Sequence, residues 1–253
     1  MNNNKKTQIA ISGGMGSMGK LLSSHIQQTE QYEVSGIFDP TKKSDTHTNF
    51  NSYEEITADI LFEFSPADQV NLNLEKFHNL DTNLIVGSSG LEENTINFLK
   101  TLASDANFIC IIPNFSVGSS LQKIFTKILN NTFLDVRIEE RHHSQKKDAP
   151  SGTAIDLAKS LDSKNKTTSN FSEIENSELN VVNDVNIKSI RGDDFLAEQL
   201  VSMANDNEKF SMEHVVDDRS AYLHGITYLL DVHHELKGFH YGLETIMAER
   251  FKI

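Results

Sequence analysis

The residues best suited to chemistry lie close together, in the segment from Glu139 to Ala154. This segment contains two adjacent histidines, His142 and His143, and a lysine, Lys146. Histidine gives or takes a proton near neutral pH, and lysine adds a positive charge. Because the first part of the segment contains almost no apolar side chain, we expect a polar loop outside the core. The combination favours a site that binds an anionic small molecule and gives it a proton.

A helix is predicted directly after these residues. Ser151 is a good N-terminal capping residue, and apolar positions then recur at helical spacing: Ala154, Leu157, Ala158 and Leu161. The first turn of a helix offers unpaired N–H groups and the positive end of the helix dipole, and both attract anions. The segment therefore predicts charge, hydrogen-bond donors and a proton source in one place.

Two other interpretations of the histidine pair are open at this point. A polar loop before a helix is common, and adjacent histidines are often plain surface residues. Metal binding is the second alternative, but adjacent histidines rarely point at one ion, and no carboxylate or cysteine completes a plausible ligand set nearby. We therefore predict no metal site.

The N-terminal region carries a glycine pattern that is typical of dinucleotide binding. A short apolar run over residues 8–12 is followed by Gly13, Gly16 and Gly19, and then by an amphipathic helix. In such a strand, turn and helix, the glycines permit a tight turn, close approach of a pyrophosphate, and close packing of the helix on the strand. A glycine-rich turn without a ligand is the alternative.

The next predicted strand ends at Asp39, 20 residues past Gly19. A carboxylate at this position accepts hydrogen bonds from the hydroxyl groups of the adenosine ribose, which favours NAD. Lys42 and Lys43 follow closely and can attract a 2′-phosphate, so NADP stays open as the second choice.

The alternation of strands and helices continues through the first half of the chain. Buried strands are predicted over residues 32–38, 59–64, 83–87 and 107–112, with helices over residues 67–77 and 92–103. Such alternation predicts a parallel sheet with helices on both faces, whose ligands bind at the carboxyl ends of the strands.

The second half of the chain predicts a different, half-buried sheet. After a helix over residues 117–129, strands are predicted over residues 135–140, 185–190, 198–203 and 208–213. Residues 162–183 are rich in Ser, Asn, Lys and Glu, which predicts a solvated loop. From residue 219 onward the pattern is helical again.

Composition limits the partners of this 253-residue chain. The formal net charge of −13 argues against nucleic acid, because phosphate binding needs a basic face. No apolar run is long enough to span a membrane, and the N-terminus lacks the apolar stretch of a secretory signal. The single cysteine, Cys110, lies in an apolar run and is expected to be a buried thiol. We expect a cytoplasmic protein.

The residues His142, His143, Lys146 and Asp148–Thr153 resemble the signature of the dihydrodipicolinate reductases, now called 4-hydroxy-tetrahydrodipicolinate reductases. The resemblance extends over almost the whole chain. It implies an α/β fold: a Rossmann-like doubly wound parallel sheet, plus an α+β substrate and oligomerisation domain with an open mixed or antiparallel sheet. The implied cofactor domain comprises residues 1–113 and 218–253, and the substrate domain comprises residues 114–217. The resemblance also implies a homotetramer.

The resemblance further implies a reaction, in which NADH or NADPH reduces a cyclic imine dicarboxylate of the lysine and diaminopimelate pathway. His142 would be the general acid, and Lys146 would assist protonation and bind a carboxylate. The other implied substrate-binding residues are His143, Ser151, Gly152 and Thr153. The implied cofactor-binding residues are Gly13, Gly16, Ser17, Met18, Gly19, Asp39, Phe64, Ser65, Gly87, Ser89, Asn114, Phe115 and Arg219.

The chain departs from the family pattern in three places. Ser17 stands where the family usually has an arginine, which removes a phosphate contact. Ala197 and Gln199 stand where a glycine and a histidine are usual, and the region 162–183 is short and lacks the family's arginine–glycine loop. These departures bear on cofactor affinity and oligomer geometry, and they leave His142 and Lys146 untouched. Two other functions stay open: a non-catalytic NAD-sensing regulator, and an oxidoreductase for another anionic imine or aldehyde. The intact pair of His142 and Lys146 argues against the sensor.

Overall fold

The fold is built from eleven strands and seven α-helices within the residues that the structure describes. The computed structural model describes residues 5–79, 81–162 and 177–253. The strands are β1 (Thr7–Ser12), β2 (Tyr32–Phe38), β3 (Ile60–Glu63), β4 (Asn83–Val86), β5 (Phe108–Ile111), β6 (Asp135–His143), β7 (Ser177–Val182), β8 (Val185–Gly192), β9 (Ala197–Asn205), β10 (Glu208–Val216) and β11 (Gly238–Tyr241). The helices are α1 (Ser17–Ile26), α2 (Ala67–Leu74), α3 (Glu93–Leu102), α4 (Val117–Leu129), α5 (Gly152–Lys159), α6 (Ala221–Val232) and α7 (Leu243–Phe251).

The first sheet has six parallel strands in the order β2-β1-β3-β4-β5-β11. Its short inner strands are apolar because they are buried on both faces, as parallel strands flanked by helices are. The strand order turns back at β1, and ligands of such sheets bind at the carboxyl ends of the strands near that point. The predicted doubly wound parallel sheet is confirmed.

The outer strand β11 is a correction to the prediction of helix alone after residue 219. It pairs in parallel with β5, begins at Gly238 and is followed directly by Gly242. The φ angles of these two glycines are +72° and +86°, a backbone conformation that favours glycine and ends regular structure on both sides. Such a short strand carries little periodicity in sequence.

The second sheet has five strands in the order β10-β9-β6-β8-β7. Strands β6 and β8 are parallel and the other neighbours are antiparallel, so the sheet is mixed. One face carries a hydrophobic core against α5, whose inner residues Ala154, Leu157 and Ala158 pack with Val136 and Ile138 of β6. Since β6 lies at the centre of this sheet, the end of β6 is held by strands on both sides.

Two predictions for this region were wrong in part. Strand β6 does not stop at residue 140 but continues to His143, so both histidines lie on a strand rather than in a loop. The predicted loop over residues 162–183 contains strand β7, and residues 163–176 lie outside the described part of the chain.

The chain divides into two compact units. One comprises the chain up to Phe115 together with Leu223–Arg250, and the other comprises Ser116–Tyr222 with Phe251–Ile253. The domain boundaries inferred from the sequence, at residues 113/114 and 217/218, stay a prediction. Cys110 is fully buried, as expected. Over the described ranges, no helix combines the length and apolar character needed to cross a membrane.

Candidate active site

The centre of the histidine site is Glu140, a carboxylate that is not among the predicted site residues. Side chains alternate along a strand, so Glu140 shares the core face of β6 with Val136 and Ile138, and with His142 beyond it. Glu140 is fully buried. The prediction that this segment lies outside the core is therefore wrong at Glu140, because the strand carries its side chain under the helix α5.

The Glu140 carboxylate is surrounded by donors from three elements. Arg191 of β8 donates to both oxygens, Nη1 to Oε2 and Nη2 to Oε1, each at 3.0 Å. The Ser151 N–H donates to Oε1 at 3.2 Å, and His142 Nδ1 contacts Oε2. Burial by itself raises the pKa of Glu140, but the hydrogen bonds from His142 and Arg191 outweigh it and hold the pKa at about 2. The carboxylate is therefore ionised, and it accepts a hydrogen bond from the His142 Nδ1–H.

Arg191 also holds the polar turn that follows β6. Its Nε donates to the Lys146 carbonyl at 3.3 Å, and its Nη2 donates to the Asp148 carbonyl at 2.5 Å. The parallel register places Arg191 beside His142 on the neighbouring strand. The Arg191 guanidinium thus links the Glu140 carboxylate, which contacts His142, to the turn that carries Lys146.

Lys146 is turned toward Asp148 in this structure. Its ammonium donates to the Asp148 carboxylate at 2.8 Å. Partial burial raises the pKa of Asp148, but the bond from Lys146 outweighs it and lowers the pKa overall. Within the described residues, Lys146 and His142 share no hydrogen bond, so the structure brings them to one turn but not into contact. No group of three or more His, Cys, Asp or Glu side chains in the described ranges is arranged to hold a metal ion.

The start of α5 supplies the anion-binding elements that were predicted. The Ser151 hydroxyl accepts the Ala154 N–H at 3.2 Å, so the predicted cap is confirmed. Gly152 is exposed, and an added Cβ there would meet no atom within 4 Å. Thr153 is half-buried in the same turn. Space and N–H groups therefore coincide at this helix start.

His143 leaves the strand on the side opposite to His142. Successive side chains of a strand point to opposite faces, and the His143 N–H donates to the Leu196 carbonyl at 3.3 Å. The two histidines are neighbours in sequence, but only His142 shares a face with Glu140. A substrate-binding role for His143 stays a prediction.

The glycine turn lies in the other unit, after β1. Gly13 has a φ of +70°, and an added Cβ would lie 2.7 Å from the Phe64 backbone. A Cβ on Gly19 would lie 2.6 Å from the Gly13 carbonyl oxygen, so this turn excludes side chains at both positions. Gly16 precedes α1 without a side-chain cap, which leaves the N–H groups of the helix start for a ligand. Ser17 is the first residue of that helix. The turn thus fits a dinucleotide pyrophosphate.

Met18 follows Ser17 in α1 and is half-buried. Asp39 lies just past β2, where its Oδ1 accepts the Thr41 N–H at 3.0 Å, the Thr41 hydroxyl at 2.9 Å and the Lys42 N–H at 3.0 Å. Burial raises the pKa of Asp39, but these bonds and one from the Met15 N–H lower it overall. The turn at Thr41 and Lys42 therefore holds the carboxylate in place through Oδ1.

The ends of β3, β4 and β5 meet around Gly87. An added Cβ on Gly87 would clash with the Phe64 ring and lie 2.6 Å from the Phe115 ring, and the two rings pack edge to face with centroids 5.9 Å apart. Ser65 is buried, and its hydroxyl lies 3.1 Å from that of Ser12. The structure therefore brings together the predicted residues Phe64, Ser65, Gly87 and Phe115.

The remaining predicted cofactor residues are less constrained. Ser89 is exposed and Asn114 is half-buried, both just past strands of the parallel sheet. Arg219 is exposed in the turn before α6 and belongs to the unit that comprises Ser116–Tyr222, not to the unit of the glycine turn. Roles in cofactor binding for these three residues stay predictions.

A glycine turn on a doubly wound parallel sheet, together with a histidine site on a second domain, is the arrangement of a nicotinamide-dependent oxidoreductase. Comparison with known families defines this class further. Residues 7–115 match the family described as "Dihydrodipicolinate reductase, N-terminus", and residues 116–247 match "Dihydrodipicolinate reductase, C-terminus". The chain belongs to the dihydrodipicolinate reductase family, whose members are NAD(P)H-dependent oxidoreductases.

Individual relatives agree with this assignment. The 4-hydroxy-tetrahydrodipicolinate reductase of Legionella pneumophila is 31% identical over 247 residues, covering 96% of this chain and 100% of the relative. The enzyme of the same name from Bacillus licheniformis is 29% identical and covers 95% of this chain and 97% of its own. A solved dipicolinate-bound dihydrodipicolinate reductase from Paenisporosarcina sp. TG-14 has a TM-score of 0.83 at 23% identity, covering 96% of this chain and 100% of that one. The last similarity supports the fold.

Proposed function

We propose that this chain catalyses the NAD(P)H-dependent reduction of 4-hydroxy-tetrahydrodipicolinate to tetrahydrodipicolinate in the synthesis of diaminopimelate and lysine. The balanced reaction consumes the substrate, the reduced cofactor and one proton, and it yields tetrahydrodipicolinate, the oxidised cofactor and water. Family membership supports the reaction. The observation that carries the mechanism is the buried Glu140 carboxylate against His142, beside the start of α5.

His142 is the general acid in this proposal. Its Nδ1 is occupied by Glu140, so its Nε2 is the nitrogen that faces a substrate. The substrate first loses its 4-hydroxyl group and a proton of the neighbouring ring carbon as water, which makes a carbon–carbon double bond conjugated to the imine. A reduced nicotinamide, when bound, would supply a hydride to the carbon that carried the hydroxyl. The displaced electron pair gives an enamine, and the His142 Nε2–H protonates the enamine carbon, which restores the imine.

The carboxylates of the substrate are held by charge and by N–H groups. Lys146 offers its ammonium, which a substrate carboxylate takes over from Asp148, and it assists protonation. The start of α5, where Gly152 is exposed and Thr153 is half-buried, offers backbone donors and the positive end of the helix dipole. His143 adds a further donor at the end of β6. A site with these groups selects a small anionic substrate.

The cofactor is held at the carboxyl ends of the parallel strands in this proposal, by the glycine turn and the loops after β2, β3, β4 and β5. Asp39 is fixed by the turn at Thr41 and Lys42, so it cannot swing away from a 2′-phosphate. A carboxylate in that position accepts ribose hydroxyls and repels a phosphate. We therefore propose NADH as the preferred cofactor, although NADPH also binds.

The Asp39→Ala variant tests this preference. We expect the dissociation constant of NADH to rise about tenfold or more, because a charged hydrogen bond is lost, while that of NADPH changes little. Cofactor fluorescence titration measures both constants, and Asp45→Ala, an exposed carboxylate of the same loop, is the matched control. Equal losses for the two cofactors would remove the ribose contact from the proposal.

The reaction itself is tested by a coupled assay. Aspartate semialdehyde, pyruvate and the upstream synthase generate the substrate, and the loss of NADH or NADPH absorbance is followed with the purified protein. We expect oxidation that depends on both the synthase and the protein. Cofactor binding without oxidation would indicate a nucleotide sensor instead, and oxidation only with other anionic imines or aldehydes would indicate a different substrate.

We also propose a homotetramer that assembles through the second sheet, in the cytoplasm. The face of this sheet opposite α5 carries exposed apolar side chains, among them Leu179 at 51% and Val181 at 68% exposure on β7 and Val215 at 47% on β10. Charged pairs on the same face, such as Arg141 with Glu139, are partly buried already. An apolar face with paired charges suits contact with further copies of the chain.

A further inference from the structure

We propose that Glu140 is a positioning residue that sets the tautomer and orientation of the His142 ring, and that Arg191 locks this carboxylate to the turn carrying Lys146. The catalytic part of this inference rests on the proposed function, whereas the part that concerns the tautomer does not. Neither Glu140 nor Arg191 needs to touch the substrate for this role.

The hydrogen bonds of the carboxylate leave it no freedom to turn. Each of its oxygens accepts two bonds: Oε1 from Ser151 N–H and Arg191 Nη2, and Oε2 from Arg191 Nη1 and His142 Nδ1. A carboxylate has about four acceptor positions, so the set is complete. An ionised, fully bonded acceptor at Nδ1 requires a proton on that nitrogen. The neutral ring is then the Nδ1–H tautomer. Nε2 is the nitrogen that takes up a proton and gives it away in each catalytic cycle.

The surroundings of Glu140 explain why the ionised form persists in a buried position. Among the residues that the structure describes, the charged groups facing it are His142 on its own strand and Arg191 on β8. The paired position on β9 is Gln199, whose amide is neutral and bonds the Gln122 side chain of α4 at 2.8 Å. On the α5 side the Ser151 N–H donates to the carboxylate, and on β8 the neutral Ser189 hydroxyl also helps to lower its pKa. Arg191 is therefore the cation that balances the carboxylate whenever His142 has lost its proton.

Arg191 adds a second function to this arrangement. Because it also binds the carbonyls of Lys146 and Asp148, the same planar group that fixes Glu140 fixes the backbone of the turn. A lysine in its place lacks the forked geometry for these bonds. The distance between the imidazole and the Lys146 backbone is thus set by one residue that lies outside the sequence motif.

The tautomer is measured directly by NMR on the full-length protein labelled with ¹⁵N-histidine. The signals of His142 are assigned as those that are missing from the spectrum of His142→Gln. Above the pH at which His142 loses its charge, long-range ¹H–¹⁵N spectra are expected to show Nδ1 protonated and Nε2 bare. In Glu140→Gln we expect a mixture of both tautomers, because an amide can offer either a donor or an acceptor to the ring. A bare Nδ1 in the wild-type protein would overturn the proposal without any variant.

Kinetics provide the second readout. We expect Glu140→Gln to lower kcat by about 10- to 100-fold, as loss of a supporting hydrogen bond to a functional histidine does, with an unchanged dissociation constant for NADH. Glu140→Asp, which keeps the charge, is expected to restore part of kcat.

The control is Glu208→Gln, which removes an exposed carboxylate at the start of β10 in the same sheet. It is expected to leave the His142 tautomer and kcat unchanged. A Glu140→Gln protein with wild-type kcat and a pure Nδ1–H tautomer would overturn the proposal. If His142→Gln proves fully active, the proposed acid role fails, while the tautomer shift in Glu140→Gln still decides the positioning role by itself.

Discussion

At the scale of single residues, two buried carboxylates show how the neighbours of a side chain decide its charge. Glu140 and Glu63 are both 0% exposed. Glu140 faces Arg191 and His142, and its pKa is held at about 2. Glu63 ends β3 and accepts the Ser65 N–H at 2.6 Å, but its other oxygen is buried without a hydrogen-bond partner among the described residues. Burial therefore raises the pKa of Glu63.

The raised pKa of Glu63 predicts a dependence of stability on pH. The folded protein binds this proton more tightly than the unfolded chain, whose glutamates titrate near pH ~4.3. Stability is then lost as the pH rises from that value through the folded pKa. Glu63→Gln removes the effect, so the difference in free energy of unfolding, variant minus wild type, is expected to increase from pH 5 to pH 8.

Urea unfolding at the two pH values measures this difference. Glu33→Gln, an exposed carboxylate on β2, is the control and is expected to show the same difference at both. If the Glu63→Gln difference instead decreased with pH, the carboxylate would be stabilised in its charged form by neighbours that the structure does not show.

At the scale of elements, strand β6 and helix α5 together form the histidine site. The strand supplies Glu140 and His142, and the first turn of the helix supplies Ser151, Gly152 and their N–H groups. Gly152 has neither a positive φ nor a close neighbour, so backbone geometry does not require glycine there. Its missing side chain instead keeps the helix start open.

The Gly152→Ala variant tests whether glycine is needed there for the backbone conformation or for open space at the helix start. Because alanine is the better helix former, we expect the midpoint of thermal unfolding to stay the same or rise slightly. The added methyl group occupies the space proposed for a substrate carboxylate, so KM for the substrate is expected to rise about tenfold or more. Lys159→Ala at the exposed end of α5 is the control. A wild-type KM in Gly152→Ala would place the carboxylate elsewhere.

Most of the helices and strands are predictable from the sequence, because local patterns of apolar and polar residues determine them. Strand β2 and helix α4 begin and end where their apolar periodicity does. The same period-two pattern that begins with Val136 and Ile138 continues through Glu140 and His142, and this continuation was the available signal for a longer β6 and a buried Glu140. Polar side chains at these positions weaken that signal, since burial of a carboxylate depends on a cation from elsewhere in the fold.

Arg191 is the part of the site that local patterns cannot predict. It reaches Glu140 only because β8 pairs with β6 in parallel, with His142 opposite Arg191. That register joins residues that are far apart in sequence. The strand β11 is a similar case, because its four residues, of which Gly238 is the first, gain their order from pairing with β5.

At the scale of the whole molecule, family membership covers nearly the entire chain, whereas assembly is a proposal. The open face of the second sheet predicts that a charge there prevents association. We expect the wild-type protein to sediment at about four times its 28.4 kDa chain mass, and Val181→Asp to sediment as smaller species. A buried unpaired charge in an interface costs several kcal/mol, which accounts for the effect.

The control for this prediction is Leu72→Asp, which places the same charge at a 53% exposed apolar residue of α2, in the other unit. It is expected to keep the wild-type sedimentation coefficient. A monomeric wild type, or a Val181→Asp protein that assembles normally, would contradict assembly through this face.

The proposed reaction depends above all on His142 giving a proton to a substrate reduced by a nicotinamide cofactor. Its most direct test is the turnover of His142→Gln in the coupled assay, beside wild type and His234→Gln, an exposed histidine of the other unit. We predict that kcat of His142→Gln falls by ~10²–10⁴-fold, with NADH affinity unchanged and His234→Gln fully active. A His142→Gln enzyme that turns over at the wild-type rate would contradict the account.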